Sequence, residues 1–164
     1  MHKEMKHELA AHLPFTVLGA VSGVIFMVLF RNLSHEVSFR LFYILHPTHV
    51  FLSAIVTSTL FATYKFGDKK DPRQLLAIFL IGYIGSIGIA TISDSIIPHI
   101  GEVLLKMPDT HAHIGFIEKW WLIQLAAITG IVVAYFRPKT HFSHAGHVLI
   151  STWASLFHIM MAKG

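Results

Sequence analysis

An all-α, polytopic membrane bundle of about five transmembrane helices is the fold class this sequence predicts. Three observations predict it. Of 164 residues, 54% are hydrophobic and only 13% are charged, about half the charged share of an ordinary globular domain. The apolar residues gather in runs close to the roughly 20 residues that cross about 30 Å of hydrocarbon. These runs are continuous, whereas the strands of a membrane β-barrel alternate.

The elements follow in order. The head, residues 1–13, mixes both charges and lacks a small-residue cleavage site after an apolar core, so it reads as retained and cytoplasmic. Spans are expected over Pro14–Phe30, His46–Tyr64, Leu75–Ile97, Trp120–Phe136 and His144–Ala162, as one transmembrane domain covering 1–164. Charges and helix breakers collect between them, in Gly67–Arg73 and in Arg137-Pro138-Lys139. Tyr64, Trp120 and Trp121 fall at expected helix ends, where amphipathic rings favour the headgroup layer.

Five spans put Lys3, Lys6, Lys65, Lys69, Lys70, Arg73, Arg137 and Lys139 on one side, against Arg31, Arg40, Lys106, Lys119 and Lys163 on the other. The positive-inside rule then places the N-terminus of a multi-pass cell-membrane protein in the cytoplasm. The net charge of +4 suits loops beside anionic lipid and calls for no nucleic acid. The chain has no cysteine, so thiolate ligands and disulfides are excluded. The expected partners are the bilayer and a metal ion; five short helices are also compatible with a homodimer.

Histidine is the unusual residue. There are 13, against 9 Asp and Glu together. His46 and His49 open the second expected span, and His144 and His147 open the fifth, which carries His158 near its end. His99, His111 and His113 share the third loop with Glu102, Asp109 and Glu118. Imidazole is the commonest metal ligand, and two on one helix face three residues apart can chelate one ion. The plainer reading is a polar anchor at the membrane interface.

The two His pairs are also related. His46-Pro-Thr-His49-Val-Phe-Leu-Ser53 resembles His144-Ala-Gly-His147-Val-Leu-Ile-Ser151, with Thr57 and Ser155 at the same later offset. Leu18–Ile25 likewise resembles Leu125–Val132. Spans one and two therefore read as a duplicate of spans four and five. One span intervenes, so the second copy is inverted, as in many transporters. This predicts His46 and His49 toward the outside and His144 and His147 toward the cytoplasm, across the bilayer from each other. Polar stripes His46, His49, Ser53, Thr57 and His144, His147, Ser151, Ser155, His158 should face the interior.

In the central span, Gly82, Ser86 and Ala90 form a small-residue packing ridge. Asp94 follows within an apolar stretch, and an intramembrane carboxylate is a functional hypothesis. His49, Asp94 and His158 are expected to converge on one outer metal site, with His46 or His99 as a further ligand. N and O donors of this kind suit Zn or Fe(II). Ile100–Met107 is expected as a short interfacial helix closed by Pro108, with His111, His113 and Glu118 capping the site.

Three function classes remain open. The first is a transporter or channel for a divalent transition metal, with proton coupling as an option. The second is a membrane-embedded metal-dependent enzyme, a hydrolase or oxidase acting on lipid, which would gather its ligands at one depth. The third, haem-based electron transfer, wants histidines at two depths on paired helices.

Overall fold

A polar cap opens the longest helix. Ser34 accepts a hydrogen bond from the Val37 N–H at 3.4 Å, and Glu36 sits in the first turn, both favourable at a helix N-terminus. The computed structural model describes the backbone of residues 2–67, 72–136 and 141–163 and the side chains of 13–67, 74–136 and 146–163. Among the described residues all regular structure is helical. The elements are α1 (His2–Leu29), α2 (His35–Phe66), α3 (Pro72–Thr91), a π-helical turn (Ile92–Ile96), α4 (Ile97–Leu104), α5 (Gly115–Glu118), α6 (Trp120–Phe136) and α7 (His141–Met161).

The expected limits of the fourth span coincide with α6. Those of the second are corrected, because α2 begins well before His46. Glu36 and Arg40 suggest a polar connector, but they pair with each other one turn apart on an exposed face. The opposite face buries Ser38, Phe42 and Tyr43. His46 and His49 therefore lie in the middle of α2.

The third expected span also runs on. α3, the π-helical turn and α4 form one continuous helical rod. Pro98 explains the π turn between them: it has no N–H for the preceding turn, and its ring crowds the carbonyl four residues back. The Ile97 N–H bonds to the Ile92 carbonyl, five residues back. The expected interfacial helix at Ile100–Met107 is thus mostly the end of this rod. The rod closes with Lys106 at φ 53°, the Lys106 N–H on the Val103 carbonyl and the Met107 N–H on the Glu102 carbonyl. That is the Schellman pattern, with lysine where glycine is commoner.

Two stretches are long and apolar enough to cross a bilayer: His35–Phe66, with mean hydropathy 1.4, and Gln74–Leu104, with 2.3. Leu13–Leu29, Trp120–Phe136 and Gly146–Met161 are shorter apolar helices. The surface is inverted relative to a water-soluble domain. Val17, Leu18, Val21, Val24 and Val28 of α1 are all more than half exposed, as are Leu76, Ile84, Ile97 and Leu104 of the rod. Ser38, His46, His49, Ser53, Ser58, Ser86, Asp94, Ser95, Glu102 and His158 are buried.

α2 is the hub, packing against α7, α3 and α6. Phe42 meets His158, and further along α2 His49 meets His147, so α2 and α7 run antiparallel. α1 packs on α7 alone among the major contacts, whereas α6 packs mainly on α2 and also on α3 and α5. The close approaches correspond. A Cβ on Gly19 would meet Thr152 Oγ1 at 2.8 Å and one on Gly23 would touch Thr152 Cγ2 at 3.5 Å, while one on Gly130 would press on the Phe51 carbonyl oxygen and on Ala54 Cβ at 2.8 Å. Gly82 of the expected ridge, with Gly85 beside it, does seat α3 against Ser58 and Thr57 of α2.

Gly130→Ala should lower stability by about 1–3 kcal/mol, because the obstructing atom is backbone. Gly88→Ala, with open space around it, should not. Thermal unfolding in detergent measures both, and equal midpoints would contradict the α2–α6 contact.

Candidate functional site

Asp94 sits in the π-helical turn with none of its side chain exposed. Its carboxylate collects four hydrogen bonds. Nδ1 of His46 and Nδ1 of His49 donate to Oδ2 at 3.0 and 2.7 Å. Ser93 Oγ and Ser151 Oγ donate to Oδ1 at 2.6 and 2.8 Å. Four donors fill the lone pairs of a carboxylate, the condition on which a buried charge is tolerated. The π turn helps here too. Pro98 offers no N–H to the Ser93 carbonyl, and Ser155 Oγ of α7 donates to it at 2.9 Å.

These bonds fix the ring tautomers. With Nδ1 of His46 donating, Nε2 of the neutral ring carries a lone pair. It is buried without a hydrogen-bond partner, against Gly115, where a Cβ would stand 2.6 Å from it. The His49 ring stacks on His147, with centroids 5.9 Å apart and planes at 16°.

A second acid–imidazole centre lies toward the α4–α6 connection. His158 Nδ1 and Glu102 Oε1 are 2.7 Å apart, and both side chains are almost wholly buried. The backbone N–H of His113 donates to His158 Nε2 at 3.2 Å. A backbone amide can only donate, so Nε2 is the acceptor and Nδ1–H donates to Glu102. Both ring nitrogens of His158 are thereby engaged. Tyr43 donates to Glu118 at 2.5 Å, and His113 Nδ1 stands 3.3 Å from Glu118. The Phe42 ring joins the two centres, stacking on His46 at 5.2 Å and meeting His158 edge-on at 5.4 Å.

His46, His49, Asp94 and Ser151 are thus brought together, with His147 beside them. His158 is not a partner of Asp94: it turns to Glu102, as does His99, whose Nδ1 is 3.5 Å from Glu102 Oε2. His111 pairs with Asp109 at the surface. Ser53 is buried in α2. The side chains of His144 and Arg73, and the loop cations Lys69, Lys70, Arg137 and Lys139, lie outside the described residues. The expectation that the two His pairs face opposite sides of the bilayer is corrected. His49 and His147 meet, because α2 and α7 cross where both place their histidines. The sequence places Glu102 beside the loop histidines, but neither it nor Tyr43 is among the expected site residues. Glu102 stands eight residues after Asp94, two turns along one helix face, and that spacing could have singled it out.

Among the described residues, no three His, Asp or Glu side chains are grouped to hold a metal ion. No protein-family model, curated protein or solved structure matches the chain.

Asp94→Ala would orphan two buried imidazole N–H groups at about 1–3 kcal/mol each, so its unfolding midpoint in detergent should fall well below that of wild type. Asp94→Asn keeps one acceptor oxygen and should lose less. Loss no greater than for Asp109→Ala, at the exposed end of the molecule, would contradict the bonding scheme.

Proposed function

We propose that this chain is a multi-pass integral membrane protein, two inverted helix pairs about a central rod, that carries a divalent transition-metal ion through its His/carboxylate core. The observation that carries the reading is a reciprocity of contacts. The two His blocks align Ala54 with Thr152, and the two preceding blocks align Gly23 with Gly130. Gly23 touches Thr152, which Gly19 one turn earlier approaches more closely still, and Gly130 packs on Ala54. His49 and His147, which the same alignment pairs, lie face to face. A two-fold axis in the membrane plane between α2 and α7 accounts for all three contacts. On that axis His49 and His147 are equivalent, and they meet where α2 and α7 cross.

The apolar exterior and buried ionisable interior support a bilayer as the solvent. Five helical rods would then be spans; α6, with 17 residues, is about 25 Å long at 1.5 Å per residue. The orientation with the N-terminus in the cytoplasm rests on the basic loops. Two similar halves of similar energy provide two states open to opposite sides.

An ion is the fitting cargo, since His46, His49 and Asp94 are at most 1% exposed and leave little room for a lipid substrate. This is the argument against the membrane-embedded enzyme, although the gathering of ligands at one depth favours it. Haem fits least: both nitrogens of His158 are taken. N and O donors suit Zn2+ or Fe2+. For Nδ1 of His46 to ligate, its proton must leave that nitrogen, and the unpartnered Nε2 can receive it by a change of tautomer. A second reading, transfer of protons alone, is favoured by the fact that all the contacts of Asp94 given above are hydrogen bonds.

Purified protein in vesicles containing a metal-sensitive dye, with a parallel pH-dye set, separates the readings. External Zn2+ or Fe2+ should enter through wild type, and at least about tenfold more slowly through His49→Ala or Asp94→Asn. Proton entry without metal would select the second reading. Entry of neither would overturn both.

A further inference from the structure

The first centre leaves one group of donors unused. Glu102 has a side chain only 1% exposed, and His158 occupies just one of its oxygens. The other, Oε2, is buried with no hydrogen-bond partner. Facing it at 3.5 Å, within ion-pair range, is His99 Nδ1, also buried and also without a hydrogen-bond partner. A charge-assisted N–H···O bond would close to about 2.7–2.9 Å. Instead, two atoms with ligand character look at each other across a gap.

We infer that Glu102 Oε2 and His99 Nδ1 form a loading site for a divalent transition-metal ion at the end of the core nearest the α4–α6 connection. Zn–N and Zn–O bonds are about 2.0–2.2 Å. At a tetrahedral angle, two such ligands stand about 3.3–3.5 Å apart, so the observed gap accepts the ion with little movement. Two protein ligands leave the other positions to water, as a site of passage requires, whereas a structural site would be closed by four. The donor set, one imidazole and one carboxylate, suits Zn2+ or Fe2+.

The surroundings serve the same end. His158 is held by the His113 backbone and in turn holds Glu102 Oε1, which orients the carboxylate and leaves Oε2 toward His99. The His99 side chain is 30% exposed, which gives the site an edge to the outside. The Schellman closure at Lys106 and Met107 ends the rod immediately after Glu102, fixing where the carboxylate stands. This inference rests on the metal-carrying reading, since it supplies that pathway with an outer station, but it is measurable without transport.

The test is Zn2+ binding by the full-length purified chain in detergent, counted by equilibrium dialysis. His99→Ala, a partly exposed substitution with little to disturb, should bind one Zn2+ equivalent fewer than wild type. Glu102→Gln should lose the same equivalent. In Asp94→Asn that equivalent should persist and should remain sensitive to His99→Ala. Equal binding by wild type and His99→Ala would overturn the site. If vesicles of wild type carry no metal while the His99-dependent equivalent is present, the transport reading falls and the site stands. If metal flux is seen but His99→Ala binds as wild type does, the reverse holds.

Discussion

A carboxylate buried in an oily bundle is the constraint around which this molecule is arranged. Asp94 comes from the rod, its imidazole donors from α2 and its second hydroxyl donor from α7. Three elements far apart in sequence must therefore meet at one point, and the charge is tolerated only while they do. The π turn is part of this arrangement. Pro98 breaks the regular ladder beside Asp94, and Ser155 on α7 caps the carbonyl that the break exposes. A helix defect of this kind commonly marks a functional position.

The Glu102 centre repeats the chemistry with a different outcome. Asp94 has all its bonds filled, whereas Glu102 keeps one oxygen free. Phe42 lies between the two centres, touching an imidazole of each. The core therefore holds two separate acid–imidazole centres along α2 and α7 rather than one cluster. Gly115 holds the connection beyond α4 close over His46, where any side chain would displace the ring.

Much of this was legible in the residues, for definite reasons. The limits of α6 follow from a run, Trp120–Phe136, that has basic or breaking residues at both ends. Asp94 was conspicuous because it is a lone carboxylate amid isoleucines, and the association of His46 and His49 with it follows from chemistry. The matched His blocks pointed to the helices that cross. What was not legible depended on tertiary contact. The start of α2 was hidden because Glu36 and Arg40 satisfy each other on one face while Phe42 faces inward. The partner of His158 was misread because the rod continues past Pro98, bringing Glu102 closer to it than Asp94. Depth was misjudged for the same reason as the helix start: a pair taken to open a helix lies in its middle.

The central claim is that two helix pairs meet through equivalent surfaces, with the ionisable core between them. Cross-linking measures this directly, because the chain contains no native cysteine. Cysteines would be placed as Gly23→Cys with Thr152→Cys, and separately as Ala54→Cys with Gly130→Cys, and oxidised in native membranes. Both pairs should form disulfides in high yield, since equivalent positions touch in both halves, and the crossed combination Gly23→Cys with Ala54→Cys should not. A disulfide in only one of the two equivalent pairs, or in the crossed pair, would contradict the account.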